Sequence, residues 1–200
     1  GMARDTSLSE MADDYAVAIE ADFEPPIDVI GLSSGSSIAF YLAAEHPQLV
    51  RRLVIQDGAP RPTDAARAFA HKVGTLAEAG EWRSVSRTFI ELVQPDNAIG
   101  RLAAWLFAPL MARDAPVDPT DMLALLEAEE QHDFTPRLGE IKAPTLVLSG
   151  ELDPFCGEAL ARETAAGIPD GRAAVYPGMR HGVRGAAVER DLVQFLVEEA

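Results

Sequence analysis

Cysteine is nearly absent, since Cys156 is the single cysteine among 200 residues. One thiol cannot form an intrachain disulfide, and it cannot by itself build a cysteine-based metal site. A lone thiol is consistent with a reducing compartment. The N-terminus also lacks the apolar stretch of a secretory signal, so we expect a cytoplasmic protein.

Basic residues and long hydrophobic runs are also scarce. Lys and Arg number 17 against 32 Asp and Glu, which gives a net charge of −15. A field of that sign repels phosphate backbones and anionic membrane surfaces. The longest uncharged apolar run covers residues 102–112 and contains Pro109, whereas a bilayer span needs about 18 residues. We therefore expect neither a nucleic-acid nor a membrane partner. The charge itself says nothing about the substrate.

The residues that are present describe an ordinary globular protein. Apolar residues make up 48% and charged residues 24% of the chain, which excludes collagen-like and disordered classes. The length corresponds to about one domain with room for an insertion.

Strands and helices alternate at both ends of the sequence. A capping box at Ser7 and Glu10 begins a predicted helix over residues 8–20. The predicted strands are 27–30, 53–55, 145–148 and 173–176, and the predicted helices beside them are 36–45, 157–166 and 186–199. This alternation predicts an α/β fold: a mostly parallel sheet of about four strands covered by helices on both faces.

The middle of the chain has a different pattern, with no strand predicted between residues 63 and 133. Four helices are predicted there, at 63–79, 81–93, 97–111 and 120–131. We interpret residues 61–133 as an all-helical cap inserted into a core of residues 2–60 and 134–200.

One motif lies where a predicted strand turns into a helix. Gly31-Leu32-Ser33-Ser34-Gly35 matches Gly-x-Ser-x-Gly, in which the central serine occupies a very sharp strand-to-helix turn. We expect side chains at both glycine positions to collide in such a turn. Ser34, Ser36 and Ser37 are nearby hydroxyls, but Ser33 alone holds the central position.

Two further residues follow predicted strands of the same sheet. Asp153 lies just after the strand at 145–148, and His181 lies just after the strand at 173–176. Sites in parallel sheets gather at the carboxyl ends of the strands, so these residues are candidates to join Ser33. Glu151 is the alternative acid, although it fits the strand-turn pattern less well.

With these landmarks the chain resembles an α/β-hydrolase with a helical cap. The resemblance runs from about residue 13 to the C-terminus and includes Glu45-His46-Pro47 with the strand that follows. It implies that Ser33 is the nucleophile, His181 the general base and acid, and Asp153 the residue that orients His181. It further implies that the backbone N–H of Ser34 is one oxyanion donor. A serine at the nucleophile position disfavours the branches that attack with a carboxylate.

The resemblance also has a gap at its beginning. Relatives carry about four strands and a helix before the nucleophile, and a loop that supplies the second oxyanion N–H. Here 32 residues holding one predicted helix precede Ser33, so we expect a truncated form of the fold. An edge at strand 27–30 would then be open, which predicts a homodimer, unless the helix at 8–20 covers that edge.

Other candidates are weaker. We expect His46 to end a helix without a carboxylate partner, and His71 and His132 to be surface or cap residues. Cys156 is expected to be a small buried filler. The acidic residues Glu127, Glu129, Glu130 and Asp133 are expected to form a solvated helix face. An apolar group in the cap could line a substrate pocket or pack the cap onto the sheet: Trp105, Leu106, Phe107, Leu110 and Met111.

The function that the sequence predicts is hydrolysis of an ester, thioester or lactone of a small apolar acyl compound through an acyl-enzyme. The alternative is a catalytically weak or inactive binding module of the same fold. Nothing in the sequence requires a metal ion or an organic cofactor.

Overall fold

A four-stranded parallel sheet is the central layer of the computed structural model, which describes residues 6–94 and 97–198. Its strands are β1 (Ile27–Leu32), β2 (Val50–Gln56), β3 (Thr145–Gly150) and β4 (Gly171–Tyr176). They lie side by side in chain order, and every neighbouring pair is parallel. The predicted parallel sheet is thus confirmed, with each strand longer than its β-branched run.

Eight α-helices accompany the sheet within the described residues. They are α1 (Leu8–Asp22), α2 (Ser34–Glu45), α3 (Asp64–Glu78), α4 (Trp82–Val93), α5 (Ala98–Met111), α6 (Thr120–Glu130), α7 (Glu158–Gly167) and α8 (Ala186–Val197). Two short 3₁₀ helices, Ala112–Asp114 and Thr135–Glu140, were not predicted. Residues 2–5, 95–96 and 199–200 of the predicted segments lie outside the described residues.

Local signals explain where α1 begins. The Ser7 hydroxyl accepts the Glu10 N–H at 3.2 Å, and the Glu10 carboxylate accepts the Ser7 N–H at 2.8 Å. This reciprocal pair is the predicted capping box, and it satisfies donors that the first helical turn leaves free.

Alternation along the strands builds an apolar core on each face of the sheet. Leu53, Ile55 and Val147 point to the face where buried residues of α1, α2 and α7 pack. Their neighbours Val54 and Leu146 point the other way, to the face that α8 covers with Val188 and Phe195. The period of two residues therefore buries both faces, as expected for a parallel sheet.

The segment between β2 and β3 has an apolar cluster of its own. Val73 and Ala77 of α3 pack with Val85 of α4, and residues of α6 join them. Helix α5 contacts α4 through small residues, because Ala104 and Ala108 are buried against Ile90.

Both predictions for the apolar group on α5 are wrong. Trp105, Leu106, Phe107, Leu110 and Met111 are each more than half exposed, so they neither line a pocket nor pack against the sheet. The face with the smallest side chains approaches α4 most closely, and the large side chains are left on the outside. No helix of the described residues is long and apolar enough to cross a membrane.

Candidate active site

Ser33 is the single residue between the end of β1 and the start of α2. Its φ of 51° and ψ of −120° lie outside the ordinary regions for a residue with a side chain. Its N–H still donates to the Gln56 carbonyl at 2.9 Å, which extends the β1–β2 pairing to the turn. Helix α2 therefore begins at Ser34, two residues earlier than predicted, because the turn contains no intervening loop.

The two glycines of the motif play different parts. A Cβ on Gly31 would lie 2.7 Å from the Ser36 Cα and 2.8 Å from the Ala39 Cβ, so glycine is needed there. A Cβ on Gly35 would meet no atom within 4 Å. The prediction that both positions exclude a side chain is wrong for Gly35, because it points away from the packed turn.

The structure brings Ser33, His181 and Asp153 together. The Ser33 Oγ lies 2.9 Å from the His181 Nε2, and the His181 Nδ1 lies 2.9 Å from the Asp153 Oδ2. His181 and Asp153 are buried. Because the carboxylate can only accept, this network assigns the proton to Nδ1 and leaves Nε2 to accept from the serine hydroxyl.

Loops after β3 and β4 hold the histidine and the acid in place. The second oxygen of Asp153, Oδ1, accepts the N–H groups of Phe155 at 2.7 Å and Cys156 at 3.3 Å. The Leu152 N–H donates to the Met179 carbonyl at 2.8 Å and so joins the two loops. Gly150 allows this approach, since a Cβ there would lie 2.5 Å from the Met179 carbonyl oxygen.

Glu151, the alternative acid, faces elsewhere. Its side chain is exposed and accepts the Gly178 N–H at 2.8 Å. It therefore supports the turn after β4, and Asp153 is the carboxylate that contacts His181.

Ser34 is the first residue of α2, so its N–H belongs to a helical turn that has no intrahelical acceptor. The positive end of the helix dipole lies at the same place. An oxygen that becomes negative beside Ser33 would be stabilised there, which agrees with the expected oxyanion donor.

A cavity of about 420 Å³ opens onto Ser33 and His181. This volume is within the ordinary range for small-molecule sites. Most of its walls are apolar, and the apolar side chains come from β1, from the helices between β2 and β3, and from the loop after β3: Leu32, Phe69, Phe89, Leu92, Val93, Leu126 and Phe155.

Glu129 is a cavity residue that the sequence analysis placed wrongly on a solvated face. It lies near the end of α6, and its carboxylate accepts the hydroxyls of Ser34 and Ser37 at 3.1 Å each. Burial raises the pKa of this carboxyl, although the two serine hydroxyls oppose the shift. Helix α6 is thus hydrogen-bonded to the first turns of α2.

His132 was predicted to be a surface or a cap residue, and of these two alternatives the surface position is wrong, because His132 is buried at the cavity wall. Its ring lies near the rings of Phe40, Tyr41 and Phe134. Burial lowers the pKa of His132 to about 4, so the ring stays neutral at ordinary pH.

The remaining candidates lie outside the cavity. His46 ends α2 as predicted, but a carboxylate partner exists, because Asp13 lies 2.7 Å from its Nε2. His71 is exposed. Cys156 is buried as predicted, and its Sγ donates to the Gly58 carbonyl at 2.6 Å. Burial raises the pKa of this thiol to about 12, which keeps it protonated.

Asp57 is a site residue that the sequence analysis missed. It follows β2 directly, is buried, and lines the cavity beside His181. The signal was available, because the rule that selected Asp153 and His181 applies equally to the residue after the second strand.

A parallel sheet that carries a serine on the turn after one strand, and an acid and a histidine after two later strands, defines an α/β-hydrolase. The comparisons agree. Residues 3–185 match the family model described as serine aminopeptidase, S33, and the chain belongs to this family of α/β-hydrolases.

Similar proteins include the pimeloyl-[acyl-carrier protein] methyl ester esterase of Neisseria meningitidis, 30% identical over 92% of this chain. The putative carbamate hydrolase RutD of Serratia proteamaculans is 29% identical over 84% of the chain. The chain spans 62% and 63% of the lengths of these two relatives. The crystal structure of the enol-lactonase of Burkholderia xenovorans LB400 superposes with a TM-score of 0.80 at 20% identity, and the match covers 96% of this chain and 74% of the enol-lactonase chain.

Proposed function

We propose that the protein is a serine hydrolase that cleaves an ester, thioester or lactone of a small apolar acyl compound. The observation that carries this proposal is the pair of 2.9 Å contacts that joins Ser33 to His181 and His181 to Asp153. The largely apolar cavity beside them supports an apolar acyl group. The two relatives are both named as hydrolases, one of them a methyl ester esterase.

The geometry suggests a sequence of proton transfers. The Ser33 Oγ attacks the carbonyl carbon while His181 Nε2 takes the hydroxyl proton, and Asp153 stabilises the imidazolium that results. The carbonyl oxygen becomes negative beside the Ser34 N–H. His181 then gives its proton to the leaving group, and an acyl-enzyme remains. Water, deprotonated by His181, attacks the acyl-enzyme and releases the acid and the free Ser33 hydroxyl.

A fluorophosphonate probe tests the nucleophile directly. We expect the probe to label Ser33, and Ser33→Ala to abolish labelling. Ser37→Ala is the matched control, because Ser37 lies on α2 one turn further along and donates to Glu129. This control should still be labelled. Hydrolysis of p-nitrophenyl acetate should likewise be lost in Ser33→Ala and retained in Ser37→Ala.

The alternative proposal is a weak or inactive binding module. It is favoured by the oxyanion site, because Ser34 is the one backbone donor assigned there among residues 6–94 and 97–198. Removal of one such donor lowers turnover by about 10²–10³-fold. A folded protein that the probe leaves unlabelled would support this alternative and contradict the hydrolase.

We propose that residues 61–133 act as a cap, which is supported by the separate apolar cluster of α3, α4 and α6. A cytoplasmic location is supported by Cys156, the single cysteine, which is buried and not paired in a disulfide. A homodimer is supported by the position of β1 at one edge of the sheet.

A further inference from the structure

Asp57 has the surroundings of a functional carboxylate outside the proposed triad. It comes directly after β2, and its N–H donates to the Leu148 carbonyl at 2.9 Å, which fixes the backbone at the carboxyl edge of the sheet. Its φ is 53°, a left-handed value that a residue with a side chain seldom adopts. The side chain is buried and lines the cavity.

The two oxygens of the Asp57 carboxylate differ in their hydrogen bonding. Oδ2 accepts the Val183 N–H at 3.0 Å, which attaches Asp57 to the loop that carries His181. Oδ1 is buried and has no hydrogen-bond partner among residues 6–94 and 97–198. A structural tie to Val183 would need only an uncharged acceptor, so the second, unpartnered oxygen calls for another explanation.

His181 supplies that explanation. One carboxylate oxygen of Asp57, one of Asp153 and one ring nitrogen of His181 lie within 4.8 Å of one another. These three groups are not arranged to bind a metal ion, because both nitrogens of His181 are already engaged, one by Ser33 and one by Asp153.

We infer that Asp57 is a second carboxylate for His181, a positioning residue whose negative charge stabilises the imidazolium formed during acyl transfer. This inference rests on the proposed function. When His181 accepts the Ser33 proton, the positive charge faces two carboxylates. Asp153 contacts Nδ1 directly, while Asp57 acts across the short gap and holds the loop through Val183.

The other groups that face Asp57 do not supply this charge. The Gln56 amide is neutral and donates to the Val183 carbonyl at 3.0 Å. The Cys156 thiol stays protonated. Burial raises the pKa of Asp57 to about 6, and His181 and the Val183 N–H oppose that shift. Asp57 is therefore ionised at neutral pH and available to His181.

The test separates the charge of Asp57 from its hydrogen bond. Asp57→Asn keeps an acceptor for Val183 and removes the charge. If Asp57→Asn does not fold, Asp57→Ser takes its place, because it also replaces the charge with a neutral acceptor. Glu151→Gln is the matched control, because Glu151 also accepts one backbone N–H at this edge of the sheet but is exposed. The measurement is kcat/KM for p-nitrophenyl acetate between pH 5 and 9.

We expect Asp57→Asn to move the acid limb of the profile to lower pH by about one pH unit, because loss of a nearby negative charge destabilises the imidazolium form of His181. The maximal kcat/KM should fall about tenfold, since the imidazolium is less stabilised. Glu151→Gln should leave both unchanged. In an Asp153→Asn background, Asp57→Asn should lower the residual rate at least a further tenfold.

An Asp57→Asn profile that coincides with that of the wild type, together with no further loss in the Asp153→Asn background, would overturn the inference. Labelling by the fluorophosphonate distinguishes failure of this inference from failure of the proposed hydrolase function. If the wild type is labelled at Ser33 and the profile is unshifted, the inference alone fails. If the wild type is not labelled, the proposed hydrolase fails and the inference fails with it.

Discussion

Two residues carry the unusual backbone of the site. Ser33 and Asp57 are the non-glycine residues with positive φ in the part of the chain that the structure describes. Each such conformation costs about 1–3 kcal/mol and persists where the surrounding structure enforces it. Each residue follows a strand of the sheet directly, so the ladders of β1 and β2 hold the strained positions in place.

The glycines of the turn give a matched pair of substitutions. Gly31→Ala should destabilise the protein by about 1–3 kcal/mol, because the new methyl group would overlap the backbone of α2. Gly35→Ala meets open space and should stabilise by about 0.4–1 kcal/mol through the unfolded chain. Urea unfolding measures both. Equal effects of the two variants would contradict the geometry of the turn.

Asp57 should lower stability at neutral pH. Burial raises its folded-state pKa to about 6 from an ordinary value of 3.8, so the folded protein binds this proton more tightly than the unfolded chain. Ionisation of Asp57 therefore destabilises the fold increasingly as the pH rises from 3.8 to about 6, and fully above that. The effect is absent below pH 3.8, where both states are protonated.

Asp57→Asn removes this penalty and keeps an acceptor for Val183. We expect the free energy of unfolding to rise at pH 7 by up to about 3 kcal/mol, since each pKa unit corresponds to about 1.4 kcal/mol. The gain should shrink as the pH falls and be absent in strong acid. Thermal unfolding across pH measures it, and a variant less stable than the wild type at pH 7 would contradict it.

At the scale of elements, Leu106 and Ala104 of α5 test which face of a helix is buried. Ala104 is fully buried against α4, so Ala104→Leu should overpack that contact and destabilise by about 1–3 kcal/mol. Leu106 is exposed, and Leu106→Gln should change the free energy of unfolding by less than about 0.5 kcal/mol. Urea unfolding of the two variants decides this. The reverse order of effects would show that α5 packs through its large side chains.

Helix α5 also shows what a sequence predicts well and what it does not. Its existence and its start at Asn97 were predictable, because the Asn97 side chain accepts the Gly100 N–H at 2.9 Å as a local cap. Its buried face was not predictable. A helix that is apolar almost all round has no direction in its pattern, and the packing partner makes the choice.

The same distinction applies to the site. Ser33, Asp153 and His181 were predictable, because each follows a strand, and the ends of parallel strands meet at one edge. Glu129 and His132 were not, since their place depends on how the helices between β2 and β3 lie over that edge. A run of acidic residues has the sequence pattern of a solvated helix face, whether or not tertiary contacts bury one of its members.

At the scale of the whole molecule, β1 forms one edge of the sheet. Helix α1 packs against α2 and leaves Ile30 and Leu32 of β1 exposed, at 48% and 55%. The outer face of α1 adds further exposed apolar side chains, those of Tyr15, Val17 and Phe23. Because Ile30 pairs with Val54, whose side chain faces α8, the exposed side chains of β1 lie on the face of the sheet opposite α1. Helix α1 therefore does not cover them.

Pairing of two β1 edges about a two-fold axis would join two sheets into one and satisfy the free backbone groups of this edge. We expect light scattering to give a mass twice the 21.5 kDa of the chain, falling towards the monomer on dilution. Ile30→Lys should favour the monomer, because two lysines would meet across the axis. Val193→Lys on α8, at a position that is 57% exposed, is the control and should remain dimeric. A wild-type mass of one chain at every concentration would exclude the dimer.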